Sequence, residues 1–314
     1  MDTEVLVIGA GVSGLTTAVC LAEAGHSVAV HTERLPAQTT SAVAGAMIAT
    51  VGEGDPGPIA RGAATLAEMT ALAEQPGTGV RITTGTFAAR PAFPSAPPGA
   101  DVLPGFQMCD PAELPDGFGM GFRGSVPLVD MPHYLAYLQG RLSAAGGTMR
   151  VAPVGSLAHA AELAPLVVNC AGLGARELAG DSDLHGVRGQ HVLVRNPGLT
   201  EFFLEAPLGP TWAGVFPHGE HVVLGGIFDP DDHRAEPDPA IADAILRACT
   251  EVVPELADAE VIGHQVGFRP VRRTVRLEAE QLGAATVVHN YGHGGNGVTL
   301  SWGCAREVLA LLAG

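Results

Sequence analysis

Along the first 34 residues, apolar positions come in two unbroken runs joined by a stretch with helical spacing. Glu4 to Ile8 is continuously apolar after its first residue, as a strand buried on both faces should be. Leu15, Ala18, Val19 and Leu21 then recur at helical intervals between Ser13 and Ala24, and Gly25 ends the helix. Ser27 to His31 is the second strand, so the chain opens as a βαβ unit.

Residues 46–125 lose this regularity. They are rich in Gly, Pro and Ala, and the run "RPAFPSAPPGADVLPG" suits neither a long helix nor a central strand. Loops and antiparallel strands are the expected content. Met131 to Ala145 predicts a helix with Pro132 in its first turn. Residues 164–178, "APLVVNCAGLGAREL", read as a buried strand entering a glycine turn and a helix. "RGQHVLVRNPG" and "VFPHGEHVVLGGIF" alternate as antiparallel strands do, the second turning at "PHGE". Residues 238–256 predict an amphipathic helix, and "ATVVHNYGHGGNGVTLSWGCAREVLALLAG" a strand, a glycine loop and a helix. Parallel βα pieces thus lie at the start, middle and end, with antiparallel material between. The expected class is α/β. The simplest architecture is a doubly wound nucleotide-binding domain (1–48, 126–186 and 260–314) interrupted twice by a second domain (49–125 and 187–259) that holds most of the antiparallel material.

With 46% hydrophobic and 16% charged residues over 314 positions, the composition is globular. The formal net charge of −16 argues against nucleic acid or an anionic membrane surface as a partner. No stretch approaches the ~20 apolar residues of a membrane span. The opening carries acids where a secretory leader has bases. Five scattered cysteines, never in a C-x-x-C pair, point to a reducing compartment, and a cytoplasmic location is expected. A homodimer is left open.

Gly9, Gly11 and Gly14 spell G-x-G-x-x-G between the first strand and helix. The first permits a tight turn, the second lets a pyrophosphate approach, and the third lets helix pack on strand. Val12 and Ser13 open that helix, whose N–H groups and dipole favour phosphate. Glu33, beside Arg34, follows the second strand within reach of a ribose hydroxyl. This pattern predicts a dinucleotide and does not by itself separate FAD from NAD. "TTSAVAGAM" (39–47) is a small-residue segment that suits either a second stretch of the dinucleotide or a packed turn.

Four of the eight residues from Asn290 to Gly297 are glycine. Such a density implies either positive-φ turns or a ligand against bare backbone. His289 and His293 stand four apart, but the glycines around them and the lack of a nearby carboxylate speak against a metal site. "GFRPVRRTVRLEAE" gathers Arg269, Arg272, Arg273 and Arg276 in an acidic protein. They form either a solvated basic patch or include one guanidinium that forks onto a carboxylate. "FDPDDHRAEPDP" lacks the glycine and terminal glutamate of a calcium loop and reads as a solvated acidic turn.

The opening fingerprint, "TTSAVAGAM", "VVNCAGLGAREL", "VRGQ", "VVLGGIF", "GFRPVRRTVRLEAEQ" and "HNYGHGGNGVTLSWGCA" occur together and in order. Over nearly the whole chain they resemble the D-amino-acid oxidase family of FAD enzymes, which implies a Rossmann-like FAD-binding domain interleaved with an antiparallel-sheet α+β substrate domain. The resemblance implies FAD held by the opening motif, by Glu33, Arg34, Thr39, Thr40, Ser41, Gly45 and Ala46, and by Cys170, Ala171 and Gly172. It further implies that Arg276, His293, Gly294, Gly295, Asn296, Gly297, Val298 and Thr299 surround the flavin ring. Arg276, in the "VRLE" position, is the implied carboxylate anchor and catalytic residue. The implied reaction passes the α-hydrogen of a neutral or apolar D-amino acid as hydride to flavin N5. Dioxygen is then reduced to hydrogen peroxide, and the imino acid hydrolyses to a 2-oxo acid and ammonia. Where acid-selective relatives carry an arginine this chain has Phe228. It also departs from the family before "VFP", where Gly214 stands for a tyrosine, while Asn296 replaces an aromatic; Trp212 is the candidate to take over as an aromatic wall of the substrate site, with an indole N–H as its one polar handle. These departures keep open an amine oxidase for glycine, sarcosine or a biosynthetic imino acid, and a non-catalytic flavoprotein.

Overall fold

The computed structural model describes residues 4–49, 56–90, 95–206 and 209–312. The parts of the sequence reading that concern residues 1–3, 50–55, 91–94, 207–208 and 313–314 lie outside them. In chain order the main elements are β1 (Val5–Ile8), α1 (Val12–Glu23), β2 (Val28–Thr32), α2 (Pro56–Ala73), β3 (Val80–Ala89), β4 (Gln107–Met108) and β5 (Met120–Val129). There follow α3 (Met131–Ala144), β6 (Thr148–Val151), α4 (Leu157–Leu163), β7 (Leu166–Asn169), α5 (Ala175–Leu178), β8 (His185–Arg195) and β9 (Phe202–Glu205). The last are β10 (Thr211–His218), β11 (His221–Ile227), α6 (Pro239–Val252), β12 (Val261–Leu282), β13 (Ala285–His293) and α7 (Gly297–Leu312).

Among the described residues all strands join one sheet in the order β4-β5-β3-β9-β10-β11-β8-β12-β13-β7-β1-β2-β6. From β13 to β6 every pairing is parallel. Period-two geometry sends alternate residues of these strands to opposite layers. Val5 and Val7 enter a core with Leu15, Val19 and Trp302, while Leu6 and Ile8 pack with Leu157 and Ala160. That accounts for the unbroken apolar runs in the sequence. From β8 towards β10 the ladders are antiparallel. Here one face of the sheet, with Val192, Ala213, Val215 and Leu224, is covered by Ala242, Ile245 and Cys249 of α6.

The 22-residue β12 joins the two halves. It pairs β8 from Val261 to Val271 and β13 from Val271 to Leu282, with a register shift between Val271 and Arg276. The expectation of loops and strands alone in residues 46–125 is overturned by α2. Its prolines, Pro56 and Pro58, fall in the first turn, where no intrahelical N–H is needed. Beyond them Met69 and Leu72 are buried in the same core as α1 and α7. Arg61 forms a two-pronged pair with Glu307, and Arg306 reaches Glu68. No helix among the described residues is long and apolar enough to cross a membrane.

Candidate active site

Four loops leave the C-terminal edge of the parallel strands, where ligands bind in open α/β sheets. Gly9 follows β1, Glu33 follows β2, Cys170 follows β7, and Gly294 follows β13. Gly9 has φ +102°, and a Cβ there would lie 2.5 Å from Cys170 O. A Cβ on Gly14 would overlap Gly9 O, so strand and helix touch through bare backbone. The Val12 N–H donates to Ser41 Oγ at 3.0 Å, which ties segment 39–47 to the start of α1. The N–H groups of Ser13 and Gly14 that follow have no intrahelical acceptor, as in any first turn. The loop Gly294–Asn296 then brings α7 against the same spot, for a Cβ on Gly297 would be 3.9 Å from Val12 Cγ1. Two helix N-termini therefore converge where main chain is exposed, a donor set made for a diphosphate and an anionic ring edge. Glu33 and Arg34 are exposed there, and Val298 and Thr299 sit in the first turn of α7. These residues fit a dinucleotide.

The support beneath them is buried and uncharged. Asn169 Oδ1 accepts from Ala171 N at 3.2 Å, fixing the turn that carries Cys170 and Gly172. Asn290 Nδ2 donates to Thr17 Oγ1 of α1, and Asn290 Oδ1 lies 3.1 Å from His293 Nε2. His289, by contrast, meets Asn169 and Glu280, so the two histidines have separate partners. Burial pushes the Cys170 thiol up to about 12, which leaves it unreactive. Ala46, in the small-residue segment, holds φ +43°, a conformation that costs about 1–3 kcal/mol and clusters at functional sites.

Facing this edge is the α6-free face of the antiparallel sheet. Gly189 and His191 of β8, Gly225 of β11, Gly214 of β10 and Gly267 of β12 line up on it. A Cβ on Gly267 would be 2.7 Å from Val43 Cγ2, and one on Gly45 3.0 Å from the Phe216 ring. Segment 39–47 thus lies directly on this face. Arg269 lies on it too: its guanidinium covers Gly189, where a Cβ would be 2.7 Å from Nη1, and its Cδ is 3.7 Å from the Cβ position of Gly295. Nη1 donates to Ile227 O at 3.1 Å and Arg188 O at 3.3 Å, and the charge stands 5.5 Å from the Phe228 ring centre. Burial lowers the Arg269 pKa, and among the described residues no carboxylate is within ion-pair distance of it.

The expected anchor, Arg276, is differently placed. Its Nε donates to Glu278 at 2.7 Å, Nη2 to Glu280 at 3.2 Å and Nη1 to the Tyr291 hydroxyl at 2.9 Å. Tyr291 in turn donates to Asp181, which also binds Arg272. Tyr291 and Asn290 are consecutive on β13 and so point to opposite faces. Asn290 reaches α1, which puts the Arg276 network on the side away from it. Arg276 has its donors engaged and its charge neutralised, whereas Arg269 bonds only backbone carbonyls among the described residues. One local feature separates the four arginines: Arg276, Glu278 and Glu280 alternate, and on a strand all three share one face, which marks Arg276 as ion-paired.

The other substrate-side expectations also change. Trp212 is no exposed wall but is buried with Phe87, Phe202 and Phe216. Gly214 is beneath that indole, and a Cβ on it would overlap the ring. Asn296 remains exposed at the start of α7. The acidic turn is built rather than merely solvated: Asp229 accepts from the N–H groups of Asp231 and Asp232, Asp232 pairs with Arg234 and Arg188, and Asp238 caps α6.

Burial pushes His191, His218 and His293 each down to about 4. Unfolded imidazoles take up protons below about pH 6.5, so between that pH and about 4 the unfolded chain binds more protons than the folded one. Their contribution to stability is whole above pH 6.5 and is lost on acidification. The Tm should fall clearly between pH 7 and pH 5; a flat Tm across that interval would show that these rings are solvated.

The FAD dependent oxidoreductase family matches residues 4–311. A D-amino-acid oxidase of Rubrobacter xylanophilus is 45% identical over 310 residues, covering 98% of this chain and 94% of its own. One of Streptomyces coelicolor is 43% identical over 315 residues, covering 99% and 97%. Among solved structures, glycine oxidase from Geobacillus kaustophilus matches with a TM-score of 0.85 at 19% identity, over 99% of this chain and 95% of that one, a likeness of fold. A glycine cradle that fits a dinucleotide and a match along nearly the whole length together make this chain a member of the FAD-dependent oxidoreductase family.

Proposed function

We propose that this protein is an FAD-dependent D-amino-acid oxidase in which Arg269, not Arg276, holds the substrate carboxylate. The observation that carries the reading is a half-buried guanidinium with no acid partner among the described residues, on a glycine-lined face that meets the cofactor loops. Such a cation is costly to bury alone and is offset by an anionic ligand. Two relatives of near-equal length that bear the name D-amino-acid oxidase support the substrate class.

FAD, bound through Gly9–Gly14, Glu33, segment 39–47, Cys170–Gly172 and the Gly294–Thr299 turn, supplies the hydride acceptor and the route for two electrons to dioxygen, with hydrogen peroxide as product. The chain's own residues orient. Arg269 fixes the carboxylate by a two-pronged charge-assisted contact and thereby the position of Cα. The Phe228 ring adds a cation–π contact to that guanidinium at 5.5 Å. The glycines beneath let Arg269, His191 and Trp212 lie close against the strands, with Phe216 packed beside Trp212. Cofactor binding falls to residues 1–48, 126–186 and the later part of 260–314, with α2 packed on them. The substrate face comes from β8, β10, β11 and the first half of β12. The free thiols suit a reducing, cytoplasmic setting.

The test is anaerobic mixing of the flavin-loaded protein with D- and L-amino acids, glycine and sarcosine. Bleaching of the flavin by D-amino acids, with stoichiometric peroxide once air is admitted, is expected. Bleaching by glycine or sarcosine alone would replace the reading with an amine oxidase, and no bleaching by any amine would end it.

A further inference from the structure

Two buried polar atoms on the substrate face have no hydrogen-bond partner: His191 Nε2 and Trp212 Nε1. The residues are 8% and 5% exposed, so bulk water does not satisfy them. Both rings lie over Gly225, where a Cβ would be 3.1 Å from His191 Nε2 and 2.9 Å from Trp212 Cη2. His191 is opposite Gly225 across β8 and β11, and Gly225 is opposite Gly214 across β11 and β10. The pair therefore sits on the face turned to segment 39–47, not in the core beneath α6. His191 Cε1 is 3.9 Å from the Cβ position of Gly45.

Leaving such atoms unpaired costs about 1–3 kcal/mol each, and a site that keeps them is completed by ligand or water. The chemistry of the missing partner follows from the donors. His191 Nδ1 is 2.9 Å from the Val43 carbonyl, so it carries the proton and Nε2 offers a lone pair. The indole nitrogen only donates. A group that completes His191 must donate and one that completes Trp212 must accept, so an uncharged group able to do both suits either ring. A hydroxyl or a carboxamide does both. A carboxylate would face the imidazole lone pair, an ammonium would face the indole N–H, and a hydrocarbon would leave both unpaired.

Arg269 covers Gly189, two residues before His191 and on the same face of β8, so the sites are about 7 Å apart along the strand. An amino acid held there by its carboxylate would bring a short side chain to the pair. We infer that His191 and Trp212 select the substrate side chain, and that the preferred D-amino acid carries a short neutral hydroxyl or carboxamide, as D-serine and D-asparagine do. This rests on the oxidase reading above and on Arg269 as anchor.

The experiment has two arms on the flavin-loaded protein. In the first, kcat/KM is measured for D-serine and D-asparagine against D-alanine and D-norvaline, in the wild type and in His191→Phe and Trp212→Phe. The polar substrates should lead by about ten-fold or more in the wild type, and each variant should bring the ratio towards one. In the second, calorimetry gives Kd for 3-hydroxypropanoate and succinamate, the unreactive deaminated counterparts, against butanoate. Tighter binding of the polar pair to the wild type is expected, and this arm stands even if a variant fails to fold. Equal or weaker binding of the polar analogues, or a ratio unmoved in both variants, would mean that the two nitrogens hold only a structural water. Absence of turnover with every D-amino acid would overturn the oxidase reading, while the calorimetric arm would still decide the pocket.

Discussion

Arg269→Ala should retain a yellow, flavin-loaded protein and lose nearly all oxidation of D-amino acids. Truncating one partner of a buried, hydrogen-bonded charge pair costs about 2–5 kcal/mol, or roughly 30- to 5000-fold in kcat/KM. The loss should be carried by weaker binding and by misplacement of Cα together, because the same contact serves both. Arg269→Lys should recover only part of it, since an ammonium cannot form the two-pronged fork. Arg276→Ala is the contrasting variant. It removes bonds to Glu278, Glu280 and Tyr291 far from the glycine-lined face, so the Tm should drop while kcat/KM falls only a few-fold. The reverse order of effects, with Arg276→Ala the inactive one, would return the anchor to the position first expected from the sequence.

Gly14→Ala should be the most damaging small substitution in the chain. The added methyl would overlap Gly9 O, and the next neighbour, Gly9 C, is also backbone at 2.9 Å. No side chain can turn away to make room, so the cost belongs at the upper end of overpacking, about 3 kcal/mol or more. α1 would be levered off β1, and with it the N–H groups that face the diphosphate. The protein should purify colourless or insoluble. Gly140→Ala is the control: Gly140 lies within α3 with open space around it, and the change should gain about 0.5–1 kcal/mol. A Gly14→Ala protein with normal flavin content and unchanged Tm would refute the close strand–helix contact.

How far the sequence could be read depended on the range of the forces involved. The βαβ opening, the strand before Asn290 and the amphipathic α6 were legible because one face of each element is set by neighbours three or four residues away, or two on a strand. The G-x-G-x-x-G turn was legible because its glycines answer a local steric demand. α2 is masked by the Gly and Pro content of 46–125, although Leu66, Met69 and Leu72 keep a helical spacing within it. The choice among the other arginines depended on distant partners. Arg272 is neutralised by Asp181, 91 residues away, and Arg269 stands out only once β8 and β11 are laid beside it. The orphaned nitrogens of His191 and Trp212 had no local signature at all. They are a property of three strands meeting.

Within β12 the ladder with β8 ends at Val271 and regular pairing with β13 resumes at Arg276. A change of angle between the two halves would therefore be taken up at residues 272–275 and leave both ladders intact. If product release limits turnover, substitutions in this four-residue stretch should change kcat.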